Sequence, residues 1–216
     1  MRPGVRTRIA LILATAWLVQ LPLVAAAAAG ENEAGSGLPT SGFLVRLAAG
    51  PSIEAISCSF DWCRWGDDQT LFGSAVSLSV GHSVAERLFV TLEGTGATSD
   101  GRFGAVIDTV SAGASLGYRL PWASLWASAG GQVEAVRFES RQFEGYFSSS
   151  GLGTERAYGL RIALGKDWPI SDLVALGISC LSSYAWIRTA GDVDDRQHLS
   201  VALMVGIVFF PGGGGL

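Results

Sequence analysis

Along most of this chain, large apolar residues fall at every second position, and the clearest row lies near its end. In HLSVALMVGIVFF, Leu199, Val201, Leu203, Val205, Ile207 and Phe209 alternate with smaller or more polar residues. A strand sends successive side chains to opposite faces, so this row makes one continuous apolar stripe that must cover a core or face lipid. The same period recurs upstream. Segment 42–53 sets Phe43, Val45 and Leu47 against Leu44, Arg46 and Ala48, and 72–84 sets Val76, Leu78 and Val80 against Ala75, Ser77, Ser79 and Gly81. Segment 88–95 sets Leu88, Val90 and Leu92 against Phe89, Thr91 and Glu93. In 109–120, Val110, Ala112, Ala114, Leu116 and Tyr118 oppose Thr109, Ser111, Gly113, Ser115 and Gly117. Segments 125–137, 158–166 and 173–188 continue the pattern, which predicts eight strands of about ten residues, the length of a tilted bilayer-crossing strand.

The connections alternate too. HSVAER, LPWAS and DWPISD are short, whereas SCSFDWCRWGDDQ, GATSDGRFG, ESRQFEGYFSSSGLGTER and AGDVDDRQ are longer and more polar. Aromatic residues gather near both ends of the predicted strands. Tyr118, Trp122, Trp126 and Trp168 stand by the short turns, and Phe138, Tyr158, Tyr184 and Trp186 by the long loops. These are the expected girdles of a membrane barrel, although strict alternation turns Trp126 inward.

Composition narrows the reading. The 29 glycines, many inside apolar runs, disfavour helix, and beyond the N-terminus no apolar run is long enough for a membrane-spanning helix. Arg2, Arg6 and Arg8 precede an apolar stretch from Ile9 to Val24 and an alanine run, so residues 1–29 are expected to be a cleaved signal peptide, with cleavage before Gly30. Residues 30–41 read as a flexible polar leader, 42–210 as the barrel and 211–216 as a Gly-rich tail. Cleavage leaves 12 basic against 19 acidic residues, a formal charge of −7, which argues against nucleic acid as a partner.

Over residues 42–210 the strand pattern, the loop asymmetry and the last strand ending in Phe209 and Phe210 resemble the small eight-stranded outer-membrane β-barrels of Gram-negative bacteria, the OmpA/OmpX-like class. The resemblance implies an all-β fold, an eight-stranded antiparallel up-and-down transmembrane barrel with short periplasmic turns and longer extracellular loops. It also implies a place in the outer membrane, contact with its lipid and lipopolysaccharide, and reading of the terminal aromatic strand by the barrel assembly machinery. PGGGGL after the aromatic pair departs from the family pattern. A soluble secreted ligand-binding barrel would turn its polar face outward, yet here that face is mostly Gly, Ala and Ser, and the chain holds one lysine, Lys166.

Arg46, Glu93, Glu134 and Arg161 fall on the small-residue face, where a lumen would allow pairing. Glu134 is expected to pair with Arg161, and Arg46 to meet Glu93 across the lumen. Such a network makes either a narrow pore or an ion-paired plug, and the plug is the expectation because eight strands leave room for little beyond side chains. Cys58 and Cys63 in the first long loop are disulfide candidates in an oxidising compartment, while Cys180 lies on an apolar face. Gly113, Ser115 and Gly117 spell G-x-S-x-G, but inside a strand rather than at a sharp turn. His198 and Ser200 share a lumen face and resemble the His-x-Ser pair of lipid A deacylases of this barrel class, without an identifiable acidic orienter. The acidic stretches Asp67-Asp68 and Asp192, Asp194, Asp195 lack calcium-loop spacing. The resulting expectation is a monomeric structural or loop-mediated interaction protein, with no catalytic residues, metal or cofactor; a small pore, a lipid A-modifying hydrolase and a soluble secreted ligand-binding barrel are the alternatives.

Overall fold

The computed structural model describes residues 42–57, 69–100, 105–120, 124–140, 154–188 and 196–211. Eight strands run in order: β1 (Phe43–Ser57), β2 (Gln69–Ser83), β3 (Leu88–Asp100), β4 (Ala105–Arg119), β5 (Leu125–Ser140), β6 (Glu155–Ser171), β7 (Val174–Arg188) and β8 (Arg196–Phe209). Each pairs antiparallel with the next and β8 pairs with β1, which closes an up-and-down barrel. The expected signal peptide and leader, and most of the Gly-rich tail, lie outside the described residues.

The strands are 13–17 residues long, well beyond the expected ten. Alternation continues through residues that read as loop. Thr98, Ser99 and Asp100 pair with Asp108, Ile107 and Val106, so the connection after β3 shrinks to 101–104. It is no longer than the 84–87 turn, and the asymmetry of the two ends rests on 58–68, 141–154 and 189–195. The DWPIS stretch likewise stays in β6, with Asp167 opposite Gly177 and Trp168 opposite Leu176, and the register shifts only between Pro169 and Ser171.

The face assignments follow the two-residue period. Leu92, Val110 and Leu160 point outward and are 67%, 65% and 58% exposed, while Thr91, Ser111 and Arg161 point inward and are buried. The small inner face has a steric cause. A Cβ on Gly130 would lie 2.0 Å from the Ala114 carbonyl oxygen, a collision that only glycine avoids where a narrow barrel curves sharply. One outward residue of the last row departs from the pattern. Leu199 is buried, standing in register between Tyr184 and Ala55.

Two apolar layers fill the interior. At the loop end, Ile56, Leu71, Ile107, Val136 and Ile187 pack together. From mid-barrel to the turn end, a second cluster includes Leu44, Phe89, Trp126, Leu181, Met204 and Phe210.

Candidate functional site

The site is the lumen, where ionisable side chains lie in three tiers. Nearest the turns, the Arg46 Nη2 group donates to Asp167 Oδ2 at 2.7 Å, and its guanidinium lies 4.0 Å from the Trp126 ring centroid. Trp126 meets Phe89 edge-on at 6.2 Å, and Arg119 sits about equally far from the Phe89 and Phe210 rings, at 5.9 and 6.0 Å. Cations over aromatic faces add to the ion pair where water is scarce. Glycines make room for these rings, since a Cβ on Gly165 would reach 2.4 Å from Trp126.

In the middle tier, Arg161 Nε stands 2.7 Å from Glu93 Oε2, and Thr91 donates its hydroxyl to Glu93 Oε1 at 2.8 Å. Nearest the loops, His198 Nδ1 lies 2.6 Å from Glu134 Oε1, and its Nε2 lies 3.6 Å from Glu54 Oε2. All three side chains are 2% exposed or less. Gln132 donates to Glu134 at 3.1 Å and Thr109 to Glu54 at 3.4 Å. The imidazole contacts are close but lack hydrogen-bond alignment, unlike the Arg46 clasp.

The expected charges are all buried or nearly so inside the barrel, but the expected pairs are not the ones formed. Glu134 does not meet Arg161. Those strands are neighbours, yet Glu134 is in register with Ala157 and Arg161 with Gly130, four rungs away. Nor does Arg46 meet Glu93; each finds its partner on β6. Three participants were overlooked as charges of the lumen. Asp167 belongs to a stretch with the composition of a turn, Glu54 stands one residue past the expected end of the first segment, and His198, expected on the lumen face beside Ser200, is not expected to meet an acid. The continuing inward series Arg46, Ala48, Gly50, Ser52, Glu54 was the available signal for the second. The two carboxylates also supply the acidic neighbours that the His198-x-Ser200 pair lacked, but they engage both ring nitrogens inside the lumen. Ser115 of the G-x-S-x-G stretch is buried within β4, where no turn presents it.

No protein-family model and no curated protein matches the chain. Among solved structures, it is similar to Neisserial surface protein A, with a TM-score of 0.53 and 17% identity over 82% of this chain and 99% of that one. Also similar are the outer membrane protein OprG from Pseudomonas aeruginosa, with a TM-score of 0.45 and 12% identity over 80% of this chain and 97% of that one, and Ail, the attachment invasion locus protein of Yersinia pestis. For Ail the TM-score is 0.45 and identity 10%, over 78% of this chain and 99% of that one. The chain has the fold of the small eight-stranded outer-membrane β-barrels.

In that barrel fold, the outward aromatic residues fall near both ends. Tyr118 and Trp168 are exposed toward the turns, Tyr158 and Trp186 toward the loops. Tyr184 is half-buried and packs edge-on against Trp186 at 4.9 Å. Phe43 and Phe72 join the two ends, and Trp126 points inward. Trp122, the Phe138 side chain, Cys58, Cys63 and the two acidic loop stretches lie outside the described residues. Cys180 is half-buried on the outward face of β7.

Proposed function

We propose that this protein is an outer-membrane anchor whose barrel does not conduct and whose longer connections carry its role, structural or recognitive. The observation that carries the reading is the filled lumen. An apolar layer lies beneath the loop end, an aromatic and cation layer above the turn end, and paired charges occupy the space between. A pore needs a continuous aqueous path, and eight strands enclose too little width to spare one once these side chains are in place. The outer face supports the membrane setting, because its exposed Leu, Val and Ile residues form a belt around the whole barrel that water would not tolerate in a monomer. With the interior spent on packing, the working surfaces are the barrel ends. No catalytic role is assigned, since His198 is buried inside the lumen with a carboxylate at each ring nitrogen.

Cell fractionation with a heat-shift gel tests this reading. The folded, faster-running band is expected in the outer-membrane fraction, and protease added to intact cells is expected to cut within 58–68 or 141–154. A soluble periplasmic protein without a heat shift, or cleavage confined to the turns, would overturn it.

A further inference from the structure

In the loop-end tier, among the described residues, the carboxylates outnumber the basic group they flank. Arg46 faces Asp167 and Arg161 faces Glu93, but two carboxylates, Glu54 and Glu134, flank a single imidazole. The carboxylates approach opposite edges of the ring, Glu134 at Nδ1 and Glu54 at Nε2. They converge on the imidazole itself rather than on a point that a metal ion could share with it, so the geometry suits protons.

The three residues also join particular strands. Glu54 is on β1 and His198 on β8, the two strands whose pairing closes the barrel, while Glu134 reaches across from β5. That closing seam is interrupted. Its register runs to Ala49 opposite Val205 and resumes at Ser52 opposite Ala202. Between them Pro51 has no N–H to give the ladder. Gly50 presses so close to Leu203 that a Cβ would lie 1.8 Å from its carbonyl oxygen. Glu54 and His198 sit just loopward of the gap.

We propose that Glu54, His198 and Glu134 form a proton-held latch, which fastens the interrupted β1–β8 seam to the opposite wall of the barrel. Protonated, the imidazole is a cation between two anions and draws β1, β5 and β8 together. Deprotonated, it leaves two buried carboxylates facing a neutral ring, with their desolvation no longer offset. The latch therefore holds at lower pH and loosens as pH rises and the ring loses its proton. The neighbouring elements modulate this in identifiable ways. Thr109 of β4 and Gln132 of β5 donate to the carboxylates, and β7 places uncharged Ala185 in register with His198. The Arg161–Glu93 pair of β6 and β3 lies in the next tier, and Glu155 stands on the inward row of β6 nearer the loops.

The latch rests on the reading of the lumen as a closed plug, and two separate readouts distinguish them. Thermal unfolding of the protein in zwitterionic phosphatidylcholine vesicles, followed by the heat-shift gel from pH 6 to pH 9, reads the latch; electrical recording on the same preparation reads the plug. Wild type is expected to lose about 5–10 °C of midpoint across that range, and His198→Gln, whose side chain takes up no proton, to stay flat. Glu134→Gln, which keeps one carboxylate on the ring, is expected to show a reduced slope and serves should His198→Gln fail to fold. Equal slopes in wild type and both variants, or a wild-type midpoint that rises with pH, would overturn the latch. Channel steps at every pH with the midpoint shift intact would instead overturn the plug.

Discussion

The two ends of the lumen bury charge in opposite ways. Toward the turns, Arg46 gives Asp167 an aligned hydrogen bond and lays its guanidinium on Trp126, so cation, anion and ring meet in one direct contact. Toward the loops, His198 is pressed between Glu134 and Glu54 without aligned hydrogen bonds, two carboxylates to one imidazole among the described residues. The first arrangement is a clasp held by an aligned hydrogen bond and an aromatic face. The second depends on a proton, which makes it adjustable where the first is permanent. Buried ion pairs are weak evidence of stability in themselves, but breaking one costs heavily. The difference between the ends thus lies in what happens when a partner is lost.

The largest effect is expected from breaking the clasp. Arg46→Ala removes the hydrogen-bond donor of Asp167 and uncovers Trp126, and should cost about 3–5 kcal/mol of unfolding free energy in vesicles, much of it regained when Asp167→Asn is added. Leu92→Arg, on the outward face, sets the scale for the lipid side of the same wall and should cost about 2–4 kcal/mol; no cost at all would mean that the face meets water. Gly165→Ala pushes a methyl group into the Trp126 ring and should cost about 1–3 kcal/mol, with quenching changes in tryptophan fluorescence reporting the displaced indole. Glu134→Gln should matter least at pH 9, within about 1 kcal/mol of wild type, since the lost contact is offset by the removal of an excess buried charge. If Glu134→Gln at pH 9 proved as damaging as Arg46→Ala, the contrast between the two ends would disappear.

Which face each strand residue takes was legible in the sequence, because a period of two is a local property: Val76 and Ser77, or Leu92 and Glu93, need no knowledge of the neighbouring strand. The number of strands and their up-and-down order followed from the same pattern. Partners across the lumen were not legible. Arg46 on β1 and Glu93 on β3 both find partners on β6, and those meetings depend on tilt and register that no single strand encodes. Even the adjacent pair Glu134 and Arg161 went astray by four rungs. Strand ends failed for a chemical reason. The Asp167-Trp168-Pro169 stretch carries turn residues inside a strand and concealed Asp167, while Glu54 stands one residue beyond the expected end of β1, which continues to Ser57.

The central claim, a lumen sealed by its own side chains, is tested most directly by recording current across a planar bilayer containing the purified, heat-shifting protein at pH 6. The account predicts a silent membrane, with insertion confirmed by the gel. Reproducible unitary steps under the same conditions would contradict it and make the tiers of charge the lining of a pore.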